Sequence, residues 1–158
     1  EVQEHGCTDL FVNGEPELDT VMEHFKNKDW ATSRPCDIPL SEYEKSDGFV
    51  SISQYYDEVY NHKFVMSPLG NGLDCGRNWQ CVYLGTIPIV PKHINIEFYE
   101  DLPILIYDDI SDLTEEYLNS AYEDITKKKV NLEKATLSYW KNRFVEEKNL
   151  ASRKNRAK

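Results

Sequence analysis

The chain has 158 residues, length for about one domain that buries roughly two-thirds of its unfolded surface. Hydrophobic residues at 40%, aromatics at 12% and charged residues at 29% exclude a disordered chain and a disulfide-held miniature. A formal net charge of -10 excludes a general binder of nucleic-acid backbone, which needs a cationic face. The basic ending "KNLASRKNRAK" is the exception; residues 151–158 are read as a frayed, solvated tail after a single domain at 1–150, anionic lipid or nucleic acid being the alternative contact.

The longest apolar run is far short of the roughly 18 residues that span a bilayer, and Glu1 opens no signal pattern. A soluble, cytoplasmic chain without an integral membrane segment is expected, a lumenal enzyme stripped of its anchor being the alternative. Cys7, Cys36, Cys75 and Cys81 form no CxxC pair or zinc-finger spacing, so reduced structural thiols and no metal site are expected.

In chain order, "DLFVN" (9–13) reads as a strand and "PELDTVMEHFKNK" (16–28) as a helix, with Pro16 in its first turn and Leu18, Val21, Met22 and Phe25 on one face. "WATSRP" (30–35) reads as a short strand and 36–49 as a polar loop. A helix over 53–63 groups Tyr56, Val59 and Tyr60, and leads into a strand at 63–68 stopped by Pro68. A glycine turn, a helix over 74–85 and the strand 87–91 complete a right-handed βαβ unit. Residues 93–103 read as irregular and 104–108 as a buried parallel strand. A helix over 112–129 carries an Asp112/Glu115 capping box and a face of Tyr117, Leu118, Ala121, Tyr122 and Ile125. A last helix over 131–150 presents Tyr139, Trp140, Phe144 and Val145. The class is α/β with a mostly parallel sheet in three layers.

The turn "SPLGNG" (67–72) falls at the carboxyl edge of that sheet, where helix N-termini present unpaired N–H groups to ligands. Gly70 and Gly72 permit positive φ and close backbone approach, and Asn71 tolerates left-handed geometry, so the loop can nest a phosphate. On the following helix, Cys75, Trp79, Val82 and Tyr83 are expected on the sheet. Arg77 and Gln80, three apart, then project together on the other side, the arginine onto a diphosphate and the amide onto a hydroxyl. An empty turn followed by a solvated arginine is the alternative, since the loop is neither GxxxxGK[ST] nor GxGxxG.

The succession "KFVMSPLGNGLDCGRNWQCVYLGTIPIV" then "FYEDLPILIYDDISDLTEEYLNSAYEDI", from Lys63 to Ile125, resembles the nucleotide-sugar-binding half of exostosin-like glycosyltransferases. The shared order is a strand ending in Ser-Pro, a glycine loop, an Asp, an Arg, Leu-Gly-x-Ile-Pro and later Asp-Leu-Pro before an apolar strand; "FKNKDWATSR" upstream fits more loosely. The resemblance implies the Rossmann-like donor domain of a GT-B enzyme, which needs neither metal nor cofactor and takes a nucleotide-diphosphate sugar as substrate. It implies Gly70, Asn71, Gly72 and Arg77 at the donor phosphates, and Asp74, Gln80 and Lys92 at the ribose or sugar. Gln80 stands where that family carries a glutamate, Cys81 where it has alanine, and Gly76 where a larger polar residue is usual. A GT-B enzyme has two such domains and this length holds one, so an acceptor-binding partner domain is implied, with a glycan or other hydroxyl as acceptor.

Two other constellations carry chemistry. Asp108, Asp109 and Asp112 spell a possible metal-binding triplet, with helix capping as the favoured reading. Glu97, Glu100 and Asp101 could include a base near the strand ends, or be solvated loop charges; His93 and Lys92 lie at the same edge. The readings are therefore a glycosyltransferase or its donor domain, a non-catalytic nucleotide-sugar-binding or scaffold domain with a degenerate site, or a flavodoxin-like interaction domain.

Overall fold

The computed structural model describes residues 20–21, 23–31, 52–69 and 72–156. The strand expected at 9–13, the start of the first helix, most of the strand expected at 30–35 and the loop at 36–49 lie outside them, as do Leu18 and Met22. Three strands form one parallel sheet in the order β1 (Phe64–Met66), β2 (Ile87–Pro91), β3 (Leu105–Tyr107). Phe64 pairs with Ile87, and Ile89 with Leu105. The strands read as nearly continuous apolar runs because both faces are covered, as parallel sheets require.

Alternation along each strand divides the core. Phe64, Met66, Ile87, Ile89, Leu105 and Tyr107 face one side, where they meet Val21, Phe25, Leu113 and helix Glu115–Lys127 through Leu118. Val90 faces the other with Val82, Tyr99, Leu102 and Ile104, and Val65 joins Tyr55, Val59 and Cys81. Helices on both faces make the three layers expected, around a small open sheet compatible with a Rossmann-like arrangement.

The helices in chain order are α1 (Ile52–Tyr60), α2 (Gly76–Leu84), α3 (Glu115–Lys127) and α4 (Leu137–Arg156), with a helical stretch at 20–21 and 23–25 before them. That stretch stops short of 28, where Lys28 N–H bonds the Phe25 carbonyl and Asn27 takes a φ of 63°. Among the described side chains of α1, Tyr55 and Val59 are buried, one turn apart, while Tyr60 is 69% exposed, so the grouping of Tyr56, Val59 and Tyr60 is shifted around the helix. The expected capping box is also displaced. Thr114 caps α3 by accepting from Tyr117 N–H at 3.2 Å, and Asp112 closes a short 3-10 turn instead. Asp109 caps that turn, its Oδ1 accepting from the Ser111 N–H and hydroxyl. The residues read as irregular at 93–103 include a 3-10 turn, Ile96–Tyr99. α4 remains helical to Arg156, through most of the stretch expected to fray. Among the described residues no helix is long and apolar enough to cross a membrane.

The α2–β2 connection is short, Gly85 and Thr86 alone. Gly85 caps α2 at φ 78° with its N–H on the Cys81 and Val82 carbonyls, and Thr86 donates its buried hydroxyl to the Val59 carbonyl at 2.7 Å. A Cβ at Gly85 would meet nothing within 4 Å. Gly85→Ala should therefore cost about 1 kcal/mol through backbone conformation alone. Urea unfolding reads it, and an unchanged midpoint would show that the left-handed cap carries no strain.

Candidate functional site at the carboxyl edge of the sheet

β1, β2 and β3 end at Met66, Pro91 and Tyr107, and the N-terminus of α2 lies in the connection that leaves β1. Its N-cap, Cys75, is extended and provides no side-chain hydrogen bond, so the first-turn N–H groups have no cap from that residue. Gly70 and Asn71 lie outside the described residues. Gly72 is exposed, and among the described residues an added Cβ would meet nothing closer than the Asp74 carbonyl oxygen at 4.0 Å.

α2 sits rotated from the expected orientation. Its buried residues are Arg77, Asn78, Cys81 and Val82, whereas Tyr83, expected on the sheet, is 70% exposed and Trp79 is half-buried. The cause is that α2 is packed from two sides, by α1 through Tyr55 and Val59 at Cys81, and by Tyr99 and Leu102 at Val82. Arg77 is thus turned inward rather than out toward a diphosphate, and its Nη1 donates to the Met66 carbonyl at 3.2 Å. Gln80 is likewise engaged, its Oε1 accepting from the Tyr55 hydroxyl at 3.0 Å. The two side chains do gather, but around Tyr55. Burial raises the Tyr55 phenol, and the Arg77 charge and hydrogen bond oppose the rise.

Asp74 faces away from this group. Its two carboxylate oxygens accept from Trp79 Nε1 at 2.9 and 3.0 Å, and Oδ1 accepts from the Tyr99 hydroxyl at 2.8 Å. Lys92 is spent on an exposed ion pair with Asp108, 2.8 Å from Oδ1, of the kind worth under about 1 kcal/mol. Of the predicted residues, the structure places Arg77 inside, Gln80 half-buried beside Tyr55, Asp74 with Trp79 and Tyr99, and Lys92 on the surface. With Asp108 paired and Asp109 and Asp112 in a capped turn, the acidic triplet is dispersed. Among the described residues no group of three or more His, Cys, Asp or Glu is placed to hold a metal ion.

The edge has other polar groups that the sequence reading gave no role. Ser67 Oγ, Asn78 Oδ1 and His93 Nε2 are buried and find no hydrogen-bond partner among the described residues. Ser67 follows β1 and His93 follows β2, while Asn78 lies in the first turn of α2. Asn78 Nδ2 donates to the Tyr99 hydroxyl at 2.9 Å, and the Tyr99 ring meets the His93 ring at 5.7 Å, so Tyr99 joins two of them. His93 Nδ1 accepts from Asn95 N–H at 3.1 Å, which leaves the proton of a neutral ring on the unpartnered Nε2. Tyr99 thus links Asn78 and His93, while Ser67 follows the neighbouring strand at the same edge. Asn78 was legible as a polar residue in an otherwise apolar helical face; Tyr99, in a segment without period, was not.

No protein-family model matches this chain, and no curated protein matches it.

Two outcomes follow from this geometry. Burial first, then the hydrogen bond and charge of Asp74, raise the Tyr99 phenol, so its neutral form is favoured in the fold. The resulting stability is full below the ordinary tyrosine range, near pH 10, and is lost as pH rises from there through the raised value. Tyr99→Phe should cost about 1–3 kcal/mol at pH 7, leaving the Asn78 amide unpaired, and should flatten that alkaline decline in a urea series from pH 8 to 12. Burial also pushes the Cys81 thiol up to about 12, with Arg77 opposing. In a Cys7→Ser, Cys36→Ser background, maleimide at pH 7 should label half-buried Cys75 well before Cys81 by intact mass; equal rates would contradict the buried thiol.

Proposed function

We propose that this chain is the donor-binding part of a glycosyltransferase of the GT-B kind, holding a nucleotide-diphosphate sugar at the carboxyl edge of the parallel sheet. The observation that carries the reading is the set of unpartnered polar atoms there, Ser67 Oγ, Asn78 Oδ1 and His93 Nε2, beside an N-terminus of α2 that its N-cap side chain does not cap. Each such buried atom costs about 1–3 kcal/mol unless something bonds it, and such sites are retained where a ligand supplies the bond. The resemblance of the Lys63 to Ile125 succession to exostosin-like enzymes supports the same edge.

In this reading the leaving diphosphate takes its stabilisation from the α2 N–H groups and dipole, with no metal in the step. The Arg77 guanidinium acts from behind, as a buried positive charge anchored on the Met66 carbonyl, rather than as a fork on the phosphates. His93 Nε2–H and the Ser67 hydroxyl donate to phosphate or sugar oxygens, and the Asn78 amide oxygen accepts from a sugar or ribose hydroxyl. Transfer is to a glycan or other hydroxyl acceptor brought by a partner domain. A second reading, a nucleotide-sugar-binding or scaffold domain without turnover, is favoured by one observation: Arg77 and Gln80 are both committed to contacts inside the fold.

A thermal-shift titration with UDP, GDP and their sugars tests both. Binding to the native state adds about 2.7 kcal/mol at a hundredfold excess over the dissociation constant. Ser67→Ala removes an unbonded hydroxyl, so the ligand-free protein should hold or gain stability while the ligand-induced shift shrinks. Equal shifts in parent and variant would dismiss this edge as the donor site, and no shift with any nucleotide would dismiss the donor-binding reading. Binding without release of sugar to water or acceptor favours the second reading over the first.

A further inference from the structure

The other side of α2 carries a second site, independent of the donor reading. Trp79, Tyr83, Phe98, Tyr99 and Trp140 line a cavity of about 460 Å³ with the Asp74 carboxylate in its wall. The volume is that of a small-molecule pocket. Trp140 stands perpendicular to both neighbours, at 89° to Trp79 with centroids 6.4 Å apart and at 90° to Phe98 with centroids 5.8 Å apart. Rings at these spacings and angles meet edge to face, and the five aromatic side chains together give the cavity an apolar, electron-rich lining of the kind that attracts cations.

What the pocket offers a ligand is decided by where its polar groups already point. Trp79 Nε1 and the Tyr99 hydroxyl donate to Asp74, Trp140 Nε1 donates to the Lys134 carbonyl at 2.7 Å, and the Tyr83 hydroxyl donates to the Ala135 carbonyl at 2.6 Å. Thr136, also in the wall, donates to the Glu133 carbonyl. The aromatic N–H and O–H groups are thus consumed within the fold. Ring surface and a carboxylate remain. A sugar needs donors as well as acceptors for its hydroxyls, whereas an alkylated ammonium needs only aromatic surface and negative charge. One cation also borders the pocket: the Lys134 ammonium, which gives one of its three donors to the Glu97 carbonyl at 3.3 Å. It repels a bare cation but suits an anionic group one linker away from it.

We propose that this pocket binds a small zwitterion of the phosphocholine kind, its trimethylammonium against the aromatic lining of Trp79 and Trp140 near Asp74 and its anionic group against Lys134.

Isothermal titration of the whole chain with phosphocholine, choline and 3,3-dimethylbutan-1-ol, the uncharged isostere of choline, tests it. Phosphocholine should bind most tightly, and the isostere about tenfold more weakly than choline. Asp74→Asn keeps the shape of the wall and should weaken choline by about tenfold; Lys134→Gln should reduce phosphocholine to the level of choline; Trp140→Phe should retain part of the affinity that Trp140→Ala loses. Equal binding of choline and the isostere would overturn the cation site, as would absence of heat with both choline and phosphocholine. Equal binding of choline and phosphocholine, or an unchanged Lys134→Gln variant, would overturn the zwitterion. Nucleotide titration on Lys134→Gln and Trp140→Ala separates this pocket from the donor edge, since a phosphocholine site leaves the nucleotide shift unchanged in both.

Discussion

The packing of α2 from two sides, by Tyr55 and Val59 of α1 and by Tyr99 and Leu102, turns Arg77 inward onto the Met66 carbonyl and sets the surroundings of the polar groups near the sheet edge. Once Arg77 points inward, the residue one turn later, Cys81, must also be inside, and it lies against Val65 and Val59. Gln80 then falls within reach of Tyr55, and Trp79 swings to the opposite flank, where Asp74 and Tyr99 receive it. A guanidinium is the right group for this place. It is less strongly hydrated than an ammonium and stays charged when buried, so it can satisfy a strand-end carbonyl without losing its field. The helix therefore separates two chemistries, a polar cradle toward the strand ends and an aromatic wall beyond it.

Much of the framework was legible before any coordinates. The apolar runs around 64–66, 87–91 and 105–107, each followed by turn residues, give the strands and their parallel order, because alternate residues of each strand pack on opposite faces. The amphipathic period gives α3, with Leu118 inside and Ala121, Tyr122 and Ile125 against the core. What the pattern could not give was the rotation of α2. Its sequence, GRNWQCVYL, has apolar and polar residues at several angles, so its own pattern does not single out one buried face. The choice is made by distant partners, Tyr55 from α1 and Tyr99 from the 3-10 turn, neither of which the helix's own period reveals. Capping failed for a related reason: Asp112 and Thr114 both precede a Glu-rich first turn, and the short turn at Ile110–Asp112 takes the former, leaving the latter to α3.

The site residues fared according to how much each depends on its surroundings. The lysine and aspartates of the edge have charged neighbours in space as well as in sequence, so Lys92 finds Asp108 across the β2 and β3 ends. Ser67 and His93 were placed at the edge by the strands alone. That they are buried and unpartnered is a property of the packed state, which composition and spacing do not encode.

The placement of the tryptophans gives the protein two separate optical probes. Trp30 packs against the core face formed by Phe25 and its neighbours, with its ring 5.7 Å from that of Phe25. Trp79 and Trp140, the other two of the three in the chain, share the opposite flank at 6.4 Å and nearly right angles. Indoles so close sense each other's surroundings, whereas Trp30 reports from the other layer. Partial loosening of the aromatic flank is therefore distinguishable by spectrum from loosening of the sheet's other face, without any added label.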